Sequence, residues 1–223
     1  MARTKPSRIG FVLAGGKSSR MGAGVDKAFL EFGGRTLLDR ALSVMSEVCD
    51  RVAIVGDPAR FADYRFAKSG FAKSGFAKSG FAKFGSVVAD IFPGCGPLAG
   101  IHAALVHSPA ELNLMLAVDM PFVSRELLTF LFAVAELEEN HAIITVPRTS
   151  KGFQPLCAVY RREFSMVAEQ ALRAGKYKID AAFSGVSMRV IEGAELAAAG
   201  FSEQSFFNVN TPQDRLAAEG RSF

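Results

Sequence analysis

The chain has 223 residues, 49% of them hydrophobic and 22% charged, which suits one domain with a sizeable core. No apolar run reaches the length of a membrane span, and the basic start MARTKPSR leads into an apolar stretch (residues 9–16) too short for a signal-peptide core. Cys49, Cys95 and Cys157 are widely spaced without CxxC pairing and read as reduced thiols of a cytoplasmic protein, while the net charge of +4 comes largely from one local segment and so argues for neither a nucleic-acid nor a membrane partner.

The first predicted element is a short strand, Ile9–Leu13, running straight into Gly15-Gly16 and then into basic and hydroxylated residues that end at Lys27. Paired glycines let the backbone approach a ligand closely, and successive N–H groups there form a concave anion cradle. Arg20 and Lys27 add two positive charges beside it, a combination suited to a nucleotide triphosphate. A Walker A loop ending at Gly16-Lys17-Ser18 would need glycine at position 11, which is Phe11. The dinucleotide fingerprint also fails, because Gly22-Ala23-Gly24 leads to Lys27 where a third glycine belongs. The bland alternative is an ordinary turn with solvated cations; Arg20-Met21-Gly22 and Asp26-Lys27 favour phosphate binding.

Leu37, Leu38, Ala41, Leu42, Met45, Val48 and Cys49 then make a helical stripe, followed by a strand at Val52–Val55. Residues 65–84 read RFAKSGFAKSGFAKSGFAKF, with Arg65, Lys68, Lys73, Lys78 and Lys83 and no acid; without these charges the rest of the chain is near neutral. Period five fits neither regular structure, since each repeat turns a helical side chain by about 140° and alternates faces on a strand. We read the segment as a surface insertion. Lys and Phe at regular spacing could touch RNA or an anionic membrane, but no base-reading motif accompanies them.

Beyond it lie a strand at Val87–Ala89 ending at Asp90, a glycine-rich turn (Gly94-Cys95-Gly96-Pro97), and a helix over Leu98–Val106. That turn reads either as a ligand-approach site at a helix N-terminus or as a tight packing loop. A strand at Leu114–Val118 ends at Asp119, and Ser124 caps a helix over Leu127–Leu137. A strand follows at Ala142–Val146, and Thr211-Pro212-Gln213-Asp214 carries the cap, first-turn proline and N3 acid of a last helix. Strands alternating with helices indicate an α/β fold, a three-layer α/β/α sandwich with a mostly parallel central sheet and one domain over residues 1–223. Active residues then belong at the carboxyl ends of strands, where Gly15, Gly56, Asp57, Asp90 and Asp119 fall. Asp119 is an oxygen ligand for a hard cation bridging phosphates, with a turn cap as its bland alternative. His102, His107 and His141 lack zinc spacing, no GxSxG elbow is present, and Cys157 sits in an apolar run as buried filler.

LAGGKSSRMG (13–22), Asp26-Lys27-Ala28, GPLAGI (96–101), Val118-Asp119-Met120-Pro121, Gln154-Pro155-Leu156 and Asn208-Val209-Asn210-Thr211-Pro212 together resemble the molybdenum cofactor guanylyltransferases, from about residue 9 to 219. The resemblance implies a Rossmann-like domain of the nucleotide-diphospho-sugar transferase type. It implies transfer of GMP from GTP to molybdenum–molybdopterin, forming the guanine dinucleotide cofactor and pyrophosphate with Mg²⁺. Leu13, Ala14, Gly15, Gly16, Lys27, Asp90 and Asp119 are then expected on the nucleotide, Asp119 also on the metal, and Gln154, Asn208 and Asn210 on the pterin. Arg20, Lys27 and Asp119 are the expected catalytic groups. Other molybdenum cofactor proteins and acceptor molybdoenzymes are the implied protein partners. Some members place an asparagine after the second strand that reaches the nucleotide; this chain has Val55-Gly56-Asp57. A cytidylyltransferase and a non-catalytic nucleotide carrier are the competing readings.

Overall fold

The computed structural model describes residues 7–16, 26–62, 84–137 and 139–219. Arg20 and most of the pentapeptide repeat lie outside them. Among the described residues there are ten strands and six α-helices. These are β1 (Arg8–Leu13), β2 (Glu31–Phe32), β3 (Arg35–Thr36), α1 (Leu37–Ser46), β4 (Arg51–Val55), β5 (Phe84–Val88), α2 (Pro97–His107), β6 (Leu112–Ala117) and α3 (Arg125–Ala135). After them come β7 (Ile144–Thr149), β8 (Gly152–Phe153), β9 (Cys157–Arg161), α4 (Phe164–Arg173), β10 (Met188–Ile191), α5 (Gly193–Ala198) and α6 (Pro212–Glu219).

The main sheet runs β10-β7-β9-β6-β1-β4-β5, with β8 hydrogen-bonded to β7. β6, β1, β4 and β5 are mutually parallel, whereas β9 lies antiparallel to both β6 and β7. Burial on both faces follows from the apolar character of β1 and β6. Along β1, Ile9, Phe11 and Leu13 enter one core with α2 and α4, while Val12, and Ala14 just beyond the strand, enter the other with α1 and α3. The strand period of two thus feeds two helix layers, giving the expected three-layer sandwich. α1 approaches β1 closely at Gly10, where an added Cβ would lie 2.7 Å from the Met45 Cε atom and 2.9 Å from the Cys49 Sγ atom.

The third long strand starts earlier than expected, at Phe84, so this residue belongs to the sheet and not to the 65–84 insertion. The strand expected at Ala142–Val146 is displaced to Ile144–Thr149. Besides the short strands β2, β3 and β8, the strands β9 and β10 and the helices α4 and α5 have no counterpart among the expected elements. The run around Cys157 is β9, in which Cys157 and Tyr160 are fully buried. No helix among the described residues is long and apolar enough to cross a membrane.

Candidate active site

Chain order reverses at β1: the chain proceeds from it to β4 and β5 on one side, and then returns to β6 on the other. In open α/β sheets, such a switch opens a crevice at the carboxyl ends of the strands. Three backbone bonds hold those ends together: Ala14 N–H to Val55 O at 3.0 Å, Gly56 N–H to Val88 O at 3.0 Å and Val118 N–H to Leu13 O at 3.2 Å. Beyond them lies a cavity of about 630 Å³. Leu13, Ala14, Gly15, Gly16, Lys27, Asp90, Asp119, Asn208 and Asn210 all contribute to its wall. The glycine segment and the acid of the Val118–Pro121 motif therefore face one space.

Each group is delivered by local chemistry. Gly16 has φ of 120°, a conformation that L side chains rarely adopt. Asp26 starts a short 3-10 turn (Lys27–Phe29), its carboxylate accepting the Ala28 N–H at 2.9 Å. Lys27, the first residue of that turn, donates from Nζ to Asn210 Oδ1 at 2.6 Å and to Asp119 Oδ2 at 3.3 Å. At the chain's far end, Asp214 Oδ2 accepts the N–H groups of Asn210 (2.9 Å) and Thr211 (2.8 Å), and its own N–H reaches Thr211 Oγ1 (3.1 Å). This capping box opens α6 as the Thr211–Asp214 pattern predicts, and it fixes Asn210 against Lys27. The Val209 N–H also reaches the Asp119 backbone carbonyl at 2.9 Å, joining the Asn208–Pro212 motif to the Val118–Pro121 motif.

The electrostatics are uneven. Burial pushes the Asp119 carboxyl above its ordinary range, against the opposing charge and hydrogen bond of Lys27. Asp119 Oδ1 is shielded from water and has no hydrogen-bond partner among the described residues, nor has Asp90 Oδ1. Burial likewise raises the Asp90 carboxyl. An unpartnered buried carboxylate oxygen is costly, so both acids sit where a ligand could complete them. Also in the cavity wall, Gly96 (φ 75°) and Pro97 begin α2 without a side-chain cap, and Gly100 lets the helix approach Leu13 and Val55, an added Cβ meeting each at 3.5 Å and Asp90 Oδ1 at 3.7 Å. A helix N-terminus facing the cavity favours negative ligand groups.

Arg60, which is not among the expected site residues, also lines the cavity. Asp57 caps the 3-10 turn Pro58–Phe61 that carries it, accepting the Ala59 N–H at 2.9 Å. The Asp57-Pro58 pair was the available signal, since it marks a turn start directly after a strand. Gln154 is not brought into the cavity wall; its Nε2 donates to Thr149 Oγ1 at 2.9 Å and Gly152 O at 3.3 Å. Cys157 is fully buried and its thiol is pushed up to about 12, which makes it inert as a nucleophile. No group of three or more metal-type ligands occurs among the described residues. That does not weigh against Mg²⁺, which commonly takes one or two carboxylates and completes its shell with phosphates and water.

The sequence profile described as the MobA-like NTP transferase domain matches residues 10–187. A molybdenum cofactor guanylyltransferase of Desulfosudis oleivorans is 33% identical over 94% of this chain and 93% of its own. A probable molybdenum cofactor guanylyltransferase of Pelotomaculum thermopropionicum is 35% identical over 94% of this chain and 90% of its own. Among solved structures, molybdopterin-guanine dinucleotide biosynthesis protein A from Archaeoglobus fulgidus superposes with a TM-score of 0.73 at 27% identity, covering 95% of this chain and 96% of that one. The fold is shared more widely, as with the 2-C-methyl-D-erythritol 4-phosphate cytidylyltransferase of Thermus thermophilus, at a TM-score of 0.60 and 19% identity over 96% of this chain and 98% of that one. With a glycine turn, a lysine and a strand-end aspartate facing one crevice, and relatives of this identity along nearly the whole chain, the protein belongs to the MobA-like NTP transferases and, within them, to the molybdenum cofactor guanylyltransferase family.

Proposed function

We propose that the chain transfers GMP from GTP to molybdenum–molybdopterin, releasing pyrophosphate and forming the guanine dinucleotide cofactor. The observation that carries this reading is Lys27, whose Nζ touches both Asp119 and Asn210 at the rim of the cavity that Gly15-Gly16 lines. One cation thereby joins the phosphate side of the site to the Asn208–Pro212 motif, assigned to the pterin side by family resemblance. Such a junction is what a two-substrate transfer requires.

In this reading the glycine amides and Lys27 hold the triphosphate, with Arg20 assisting. Asp90 lies toward the nucleoside, and Asn208 and Asn210 lie toward the pterin, with Gln154 beyond the cavity wall. The terminal phosphate of the pterin attacks the α-phosphorus in line. One P–O bond forms there as the α–β bridging bond breaks, and the electron pair leaves with pyrophosphate. No protein nucleophile is involved, because orientation and charge stabilisation carry this class of reaction. Lys27 and the loop amides stabilise the charge growing on the leaving group. Asp119, whose Oδ1 has no hydrogen-bond partner among the described residues, fits Mg²⁺ as an oxygen ligand. When bound, the ion supplies neutralising charge to the triphosphate. We place the reaction in the cytoplasm, with other molybdenum cofactor proteins or acceptor molybdoenzymes receiving the product.

Incubation of the full chain with Mg²⁺, molybdenum–molybdopterin and either GTP or CTP tests the proposal. Pyrophosphate and dinucleotide should form with GTP. Release with CTP alone would reassign the base, and GTP binding without pyrophosphate would make the protein a carrier.

A further inference from the structure

The geometry points to Arg60 as a positioning residue that ties together the two ends of the glycine-rich phosphate segment, an inference resting on the nucleotidyl-transfer reading above. Its guanidinium spans two groups: Nη1 donates to the Ala14 carbonyl at 2.6 Å, while Nε and Nη2 form a two-pronged bond to the two Asp26 oxygens. Ala14 directly precedes the Gly15-Gly16 pair, and Asp26 directly precedes Lys27. One side chain therefore sets where the cradle amides begin relative to where the lysine emerges. Burial pushes the Asp26 carboxyl upward, but hydrogen bonds from Arg60 and the Ala28 N–H, together with Arg60's charge, hold it below the ordinary range.

The turn that carries Arg60 is itself anchored. Phe61 occupies the space beside Gly56, where an added Cβ would lie 2.8 Å from the Phe61 Cε2 atom. Its ring also sits 5.9 Å from that of Phe29, in the same turn as Lys27. The two 3-10 turns are thus coupled through an aromatic contact and through an ion pair. Only arginine has a planar fork able to hold a carboxylate bidentately and a carbonyl at once; a lysine ammonium lacks that geometry. The site thereby gains its fixed spacing between Lys27 and the cradle from a residue outside both.

Charge and position make opposite predictions at Asp26. If only electrostatics mattered, Asp26→Asn would remove a negative charge near the triphosphate and tighten GTP binding. If Asp26 serves as Arg60's anchor, the same change loosens Lys27 and weakens binding. The full-length wild type, Arg60→Ala, Asp26→Asn, the double variant and Arg60→Lys should be compared by GTP–Mg²⁺ titration, by KM and kcat, and by thermal melting. We expect Arg60→Ala and Asp26→Asn each to raise Kd and KM for GTP by about tenfold with a smaller change in kcat. The double variant should be no worse than Arg60→Ala, because both substitutions break one link. Arg60→Lys should recover little, whereas free guanidinium should partly rescue Arg60→Ala. Tighter or unchanged GTP binding in Asp26→Asn, multiplied losses in the double variant, or lowered melting with unaltered GTP affinity would each overturn the assignment. A wild type that neither binds nor uses GTP would instead remove the proposed function, and this inference with it.

Discussion

Lys27 meets two partners of different chemistry, and that pairing fixes what its loss should do. Its Nζ is 3.3 Å from Asp119 and 2.6 Å from the Asn210 side chain, so it is held in place before any substrate arrives. Replacing it with alanine removes a preorganised charged donor, and kcat/KM should fall by about 10²–10³-fold. Pyrophosphate-release kinetics with GTP varied would show this; an unchanged kcat/KM would remove Lys27 from the phosphates. Asp119→Asn keeps the size of the side chain but not its charge. Its folded-state carboxyl is raised by burial despite Lys27, so neutralising it relieves desolvation as it breaks the ion pair. Melting should therefore change little while turnover falls by about two orders of magnitude or more, and Mn²⁺ or extra Mg²⁺ should not restore it. Near-normal turnover in Asp119→Asn would defeat the metal assignment.

Elements adjoining the cavity carry costs of their own, and α2 shows this at His102. The ring is buried with both nitrogens lacking a hydrogen-bond partner among the described residues, edge-on to Phe92 at 5.2 Å. From α4, Glu169 lies 4.0 Å from Nε2 and Arg173 stacks over Phe92. Burial drives the His102 pKa below its ordinary 6.5, opposed by Glu169 and reinforced by Arg173. In the folded state the ring therefore resists protonation that the unfolded chain accepts. The α2–α4 contact is at full strength above pH 6.5 and weakens as pH falls towards the folded value. His102→Leu should flatten this acid limb in melting curves recorded from pH 7.5 to 5; a limb of unchanged slope would assign it to other groups. Much of α2 was readable from Gly96-Pro97 and the apolar run behind it, as were β1, α1, β6 and the α6 cap, because period and capping act locally. Among the elements that escaped, β9 and β10 are defined by partners distant in sequence. β9 runs antiparallel between β6 and β7, a pairing that no local pattern near Cys157 encodes. At the site, residues at strand ends were legible as chemistry. Arg60 was not, because its significance lies in reaching Ala14 and Asp26 across the fold.

Across the whole molecule the parallel strands β1, β4, β5 and β6 end on one side, and the fold gathers Asp90 and Asp119 there. We propose that residues 65–83 take no part in the reaction. β5 resumes at Phe84, in register with Val52, and deletion of residues 66–83 with a short linker should leave kcat within about threefold of wild type. Loss of turnover with retained melting would give the repeat a part in the reaction. Asp90 links the site to global stability. Its buried Oδ1 has no partner among the described residues and its pKa is raised by burial, so the folded state holds that proton more tightly than the unfolded chain. The group's contribution is fully present below the unfolded value near 3.8 and is lost as pH rises through the folded value. At pH 7.5, folding must therefore carry a poorly solvated charge, and Asp90→Asn should raise the melting temperature of the ligand-free protein by about 2–4 °C. At pH 3.5 the two proteins should converge. GTP–Mg²⁺ at about a hundred times Kd should stabilise the wild type by about 2.7 kcal/mol, an upward shift of about 5–10 °C. Asp90→Asn should forfeit most of that shift, because the carboxylate that destabilises the empty fold is the one assigned to the nucleoside. A variant that melts lower without ligand yet keeps the full GTP shift would make Asp90 a structural acid.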